Sequence, residues 1–197
     1  MPVNLNDPRV RRTRQLMMQA FHDLLGEKRN IYSISVQDIT TRAAVNRSTF
    51  YAHFEDKFDF LENWMAEKFH SIIHRRLSDD SAFSPDNLRI LVQSVFHFLV
   101  QFRQYITPGD KQFEPMFEKA MQMELYRLLL QWMKDMAGQD DLQDKWETTA
   151  LVVSWGVFGS ALQWSRNTQA GSEESMVQDV LEIISVHLDH QKKKIPL

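Results

Sequence analysis

The chain has 197 residues, 43% of them hydrophobic and 25% charged, enough apolar material for one large core or for a small domain joined to a medium one. It has no cysteine, which excludes disulfides and thiolate metal sites and suits a reducing compartment. The net charge is −3, unevenly spread: residues 1–54 carry eight basic against four acidic side chains, and the remainder carries an acidic surplus of seven. A basic head on an acidic body is the asymmetry expected where one end of a protein meets phosphates.

The opening MPVNLNDPRVRR lacks the apolar run of a signal peptide. The longest apolar stretch, near 151–162, is broken by serine and glycine and is too short to span a bilayer. A cytoplasmic protein without a membrane partner is expected. Helical periodicity runs through nearly the whole chain and no alternating stretch is long enough for a convincing strand, so the fold expected is all-α with about nine helices.

The first helix should run from about 7 to 28, opened by the cap pair Asp7-Pro8, with Met17, Ala20, Phe21, Leu24 and Leu25 as its inward stripe. Arginines at 9, 11, 12 and 14 crowd its start, where the helix dipole disfavours cations, so an external anion is expected there. Ser35 should cap a second helix ending near Ala44, with Asp38 where a capping box usually has Glu or Gln. Asn46 should cap a third, short helix over 47–54, and Asp56-Lys57 opens a fourth reaching about 76. The polar segment DDSAFSP (79–85) is turn-prone. A fifth helix over 86–105 should turn Leu88, Leu91, Val92, Val95, Phe96, Leu99 and Phe102 inward. Thr107-Pro108-Gly109-Asp110 reads as a turn. A helix over 113–136 should end at Gly138, and the last two, over 142–166 and 172–190, should join at Ala170-Gly171.

The segment SVQDITTRAAVNRSTFYAHF (35–54) holds two helices too short to fold alone. Apolar anchors at fixed places must lock their crossing: Ile39 and Ala43 from the first, Val45 at the turn, Phe50 and Phe54 from the second. This is the helix-turn-helix pattern. Arg47, Ser48, Thr49, Ala52 and His53 are left facing outward, small or hydrogen-bonding as a helix pressed into a major groove requires.

The run ITTRAAVNRSTFYAHFEDKFDFLENW resembles the N-terminal domain of TetR-family transcriptional regulators. Ala43-Ala44-Val45-Asn46 stands at the family's hydrophobic-Ala-Gly-Val-Ser turn, Tyr51-Ala52-His53-Phe54 at its Tyr-x-His-Phe ending, and Lys57 at the mouth of the fourth helix. The likeness covers about 11–64. It implies a helix-turn-helix DNA-binding domain over 1–57, the fourth helix (about 56–76) as connector, and an effector-binding and dimerisation domain over 58–197. It also implies that Tyr51 and His53 hydrogen-bond phosphates, and that Lys57 clamps another with the first amides of the fourth helix. Arg47, Ser48, Thr49 and Ala52 would face base edges, while Arg12, Ser35 and Asn46 would position the backbone. Ala44 replaces the family's turn glycine; a left-handed backbone there would cost alanine on the order of 1 kcal/mol.

The last two helices are apolar beyond what one core needs. On the final helix Val177, Leu181, Ile184 and Leu188 make one stripe, and Met176, Val180, Ile183 and His187 an adjacent one. The helix before it offers Trp155 with Gly156 and Gly159, which permit close helix approach. A homodimer through these helices is expected, as in TetR-like proteins, with two-fold closure and a pseudo-palindromic operator on double-stranded DNA. The resemblance also implies a small apolar effector, for which Phe96, Phe102, Phe117, Met121 and Trp132 are candidate contacts. His70 and His74 have the i, i+4 spacing of metal ligands, with Glu67 the nearest third group, but read better as a surface pair. No phosphate loop, nucleophile elbow or zinc-protease motif appears, so neither catalysis nor a cofactor or metal is expected. The alternative to an operator-binding repressor is a protein-interaction module or co-activator of the same fold.

Overall fold

In the computed structural model the described residues are 7–78, 81–105, 108–137, 143–167 and 172–192; for 104–105, 108–110, 136–137, 143–144 and 187–192 only the backbone is described. They form eight α-helices: α1 (Pro8–Lys28), α2 (Val36–Arg42), α3 (Arg47–His53), α4 (Lys57–His74), α5 (Pro85–Tyr105), α6 (Glu114–Ala137), α7 (Gln143–Arg166) and α8 (Glu173–Lys192). No strand occurs among the described residues, and the fold is all-α as expected. The expected turn at 107–110 is instead the start of a 3-10 helix, Pro108–Phe113, that leads directly into α6; the fixed φ of Pro108 suits the first position of a helix as well as a turn. Thr107, Gly138, Ala170 and Gly171 lie outside the described residues.

The chain divides into two compact units. One contains the described residues up to Glu67 together with Gln104–Ala120, the other Lys68–Arg103 and the described residues from Met121 onward.

In the first unit, α1 packs on α2 and α2 on α3. Asp7 accepts from the Arg9 amide at 2.8 Å and starts α1; the Arg29 amide, at φ 48°, closes it on the Leu25 carbonyl. Met17, Phe21, Ile34, Ile39, Phe50, Phe60 and Leu61 are fully buried. The rings interlock: Phe21 meets Phe60 and Trp64 edge-on at 5.4 and 4.9 Å, and Phe60 meets Phe50 and Phe54 at 5.4 and 5.0 Å. Such pairs contribute about 0.5–1.5 kcal/mol each beyond their burial. This cluster is the floor on which the two short helices rest.

In the second unit, α7 packs on α8. Phe96 lies 5.9 Å from Trp164, and Phe69 meets Phe98 at 5.2 Å. Gln122 donates to the Ser154 hydroxyl at 3.2 Å inside this core, which satisfies a buried amide. Phe102, expected inward, is only half-buried; its ring stacks on Phe98 at 6.0 Å.

Candidate nucleic-acid interface

The two short helices are set by local chemistry. At α2 the Asp38 amide donates to Ser35 Oγ at 3.1 Å, while the Ser35 amide and hydroxyl both donate to Asp38 Oδ2 at 2.8 Å. Asp38 therefore closes the capping box in spite of its short arm. The Ser35 backbone and side-chain donors, with Lys28 Nζ at 3.1 Å, lower its carboxyl to about 2. Both faces of the Ser35 hydroxyl are thus engaged inside the protein.

Between α2 and α3 the chain turns through Ala44, whose φ is +54°. The position does need a left-handed backbone, and the missing glycine leaves strain in the turn. Ile39 and Ala43 are buried as anchors and Val45 is half-buried. Asn46 occupies the cap position of α3 but makes no side-chain cap bond.

With Phe50 and Phe54 buried, α3 presents Arg47, Ser48, Tyr51 and Ala52 outward, and Thr49 and His53 at its half-buried edges. The Arg47 guanidinium bends back over α3. Its Nη2 donates to the Tyr51 hydroxyl at 3.2 Å and its carbon stands 5.6 Å from the Tyr51 ring centre. Arg12 is exposed on α1.

Two residues do work that the sequence did not disclose. Arg14 belongs to the arginine cluster at the start of α1, yet its side chain is only 16% exposed. Its guanidinium donates to the His53 carbonyl at 3.3 Å and to Asn63 Oδ1 at 3.0 Å, and lies 4.4 Å over the Phe54 ring. It ties α1 to the end of α3 and to α4. The signal was available, since Arg14 stands three and seven residues before Met17 and Phe21 on the same inward stripe. Burial, and then the Arg14 charge, push the His53 imidazole below its ordinary range; its Nδ1 is buried without a hydrogen-bond partner.

Lys57 is the second. It was expected to clamp a phosphate together with the first amides of α4. Its ammonium donates to the Ile31 and Tyr32 carbonyls at 3.0 and 3.2 Å, which pins the α1–α2 connection. The Phe58 and Asp59 amides both donate to Asp56 Oδ1, at 2.7 and 2.9 Å. The carboxylate of the cap residue Asp56 thus accepts from the first amides at this helix start.

Of the residues expected to contact an effector, Phe117 is buried in the first unit, Phe96, Met121 and Trp132 are buried in the second, and Phe102 of the second unit is half-buried. Of those expected at a dimer interface, Trp155 (55%) and Ile183 (73%) are exposed, and a methyl built on Gly156 or Gly159 would meet no atom within 4 Å. Val180 faces inward and is buried, while Val186 on the other side is 61% exposed. The His187 side chain lies outside the described residues. The His70 and His74 rings lie 4.0 Å apart, tilted by 34°, and His70 Nδ1 meets Glu124 Oε1 at 2.6 Å; no cluster of three metal-ligating groups occurs among the described residues.

No protein-family model matches the chain. Over 67 residues, 34% of this chain, it is 37% identical to YxbF, an uncharacterized HTH-type transcriptional regulator of Bacillus subtilis; the matched stretch spans only 18% of that protein. Among solved structures, RolR superposes with a TM-score of 0.55 at 14% identity, covering 86% of this chain and 89% of its own. A tetR-family transcriptional regulator from Streptomyces coelicolor gives 0.54 at 14% identity, covering 92% and 85%. The flavonoid-responsive regulator FrrA gives 0.52 at 17% identity, covering 89% and 94%. The chain has the fold of the TetR-family regulators. Its α1–α3 correspond to the helix-turn-helix expected from the sequence, and no helix among the described residues is long and apolar enough to cross a membrane.

Proposed function

We propose that this TetR-like chain is a dimeric, sequence-specific DNA-binding regulator, acting as a repressor that a small apolar effector releases from a pseudo-palindromic operator. The observation that carries this reading is the outward face of α3. Arg47, Ser48, Tyr51 and Ala52 are exposed side by side, with Thr49 and His53 at the edges, above an aromatic floor that fixes the helix. Arginine can fork onto guanine and the Thr49 or Ala52 methyl can touch a thymine methyl. Tyr51, His53 and Arg12 supply hydrogen-bond donors for phosphates, and Asn46, uncommitted as a cap, supplies another at the start of α3. Lys57 acts by holding the α1–α2 connection, and Ser35 by holding α2 through its capping box.

For the dimer, α7 exposes Leu151, Val152 and Trp155 and the packed neighbour α8 exposes Ile183 and Val186. Large apolar side chains so close together are rare on a monomer surface. Gly156 and Gly159 leave room for a second helix, and a two-fold dimer would set the α3 helices about 34–36 Å apart. Phe96, Phe102, Met121 and Trp132 of the second unit are the side chains proposed to meet the effector; FrrA is described as a flavonoid-responsive regulator.

Selection of duplexes from a random pool by the purified protein tests the reading. Enrichment of a two-fold symmetric sequence is expected; a pool that stays random after repeated rounds contradicts it.

A further inference from the structure

Arg47 and Tyr51 stand one turn apart on α3, both exposed and joined by a 3.2 Å hydrogen bond with the guanidinium near the ring. Tyr51 is itself steadied, since its ring meets the fully buried Phe50 edge-on at 5.4 Å. Among the described residues Arg47 forms no ion pair, so the phenol is what restrains a side chain that otherwise has many rotamers. The phenol oxygen accepts from Arg47 through a lone pair, which leaves its own O–H available as a donor. Arginine has five N–H donors, and one bond to Tyr51 leaves a pair of them to fork onto a base.

We propose that Tyr51 is a positioning residue for sequence readout: its hydroxyl holds the Arg47 guanidinium for a guanine while donating its proton to a phosphate. The inference rests on the DNA-reading function proposed above and adds a specificity role to a residue expected only to bind the backbone. Removing a phosphate contact weakens binding to every sequence alike. Removing a restraint on the reading arginine weakens the matched sequence more than its guanine-substituted variant.

The test uses the full-length protein, the duplex it selects, and the same duplex with adenine replacing the guanine whose loss Arg47→Ala no longer senses. Wild-type protein should prefer guanine, and Tyr51→Phe should lower that preference about 10-fold, the low end for a hydrogen bond to a charged group. In an Arg47→Ala background the same change should lower affinity equally on both duplexes. Tyr51→Phe keeps the ring on Phe50, and an unchanged thermal midpoint would show that folding is intact. If Tyr51→Phe weakens both duplexes by one factor while wild-type preference stands, the pair has no readout role and only the inference fails. If wild-type protein prefers no guanine that depends on Arg47, the reading by α3 fails and the inference with it.

Discussion

The Arg14 guanidinium on α1 donates to the carbonyl of His53, the last residue of α3, at 3.3 Å. A cation there meets the negative end of a helix dipole and one of its orphan carbonyls together. The same group binds Asn63 and lies over Phe54, so one side chain sets the position of α3 against two neighbours. Arg14→Met should cost about 1.5–3 kcal/mol, the range for hydrogen bonds to a charged group. Urea unfolding would read this as a lower midpoint. Arg14→Lys should lose part of it, because an ammonium cannot reproduce the fork.

Ala44 at φ +54° predicts the opposite sign for a substitution in the turn. Ala44→Gly relieves strain of about 1–2 kcal/mol and loses about 0.4–1 kcal/mol to the freer unfolded chain. The net expectation is a small gain in stability, seen as a urea midpoint above that of the unsubstituted protein.

Much of the candidate site was legible in the sequence because its determinants are local. The Asp7-Pro8 start, the Ser35–Asp38 box and the Ile39, Phe50 and Phe54 anchors follow from residue type at short spacing, while the left-handed Ala44 turn was implied by the resemblance. The bonds of Lys57 to the Ile31 and Tyr32 carbonyls were not legible, because tertiary packing brings those acceptors to it and they carry no side-chain signature. The bonds from the Phe58 and Asp59 amides to Asp56 follow from the cap residue that the sequence places at the start of α4. On α8 two apolar stripes lie side by side, and periodicity does not say by how much the helix is rotated; packing buries Val180 and exposes Val186.

Asp38 and His53 each give pH dependence in the acid direction. Asp38 is lowered to about 2 by the Ser35 donors and Lys28, so its contribution is present above the ordinary carboxylate range and is lost as pH falls toward 2. His53 is lowered by burial and then by Arg14, so its contribution is present above the ordinary imidazole range near 6.5 and is lost as pH falls below it. His53→Gln should flatten the stability profile between about pH 5 and 7, and Asp38→Asn should flatten it only below about pH 4. Unfolding midpoints measured across pH for the three proteins would separate the two.

Placing a charge in the exposed apolar face of α7 and α8 should split the proposed dimer. Ile183→Glu and Trp155→Glu are expected to sediment as monomers while keeping their helical circular dichroism, because both side chains point away from the protomer's own core. Dimers of unchanged affinity in both variants would move the interface elsewhere.

The most direct test of α3 as a DNA-reading helix is the affinity of the protein for its selected duplex, titrated with salt and compared with a scrambled duplex. The account predicts tight binding to the selected sequence, with log affinity falling linearly against log salt as phosphate-bound counterions are released, and loss of the sequence preference in Arg47→Ala. Equal, weak binding to both duplexes, or a preference that survives in Arg47→Ala, Ser48→Ala and Thr49→Ala together, would contradict it.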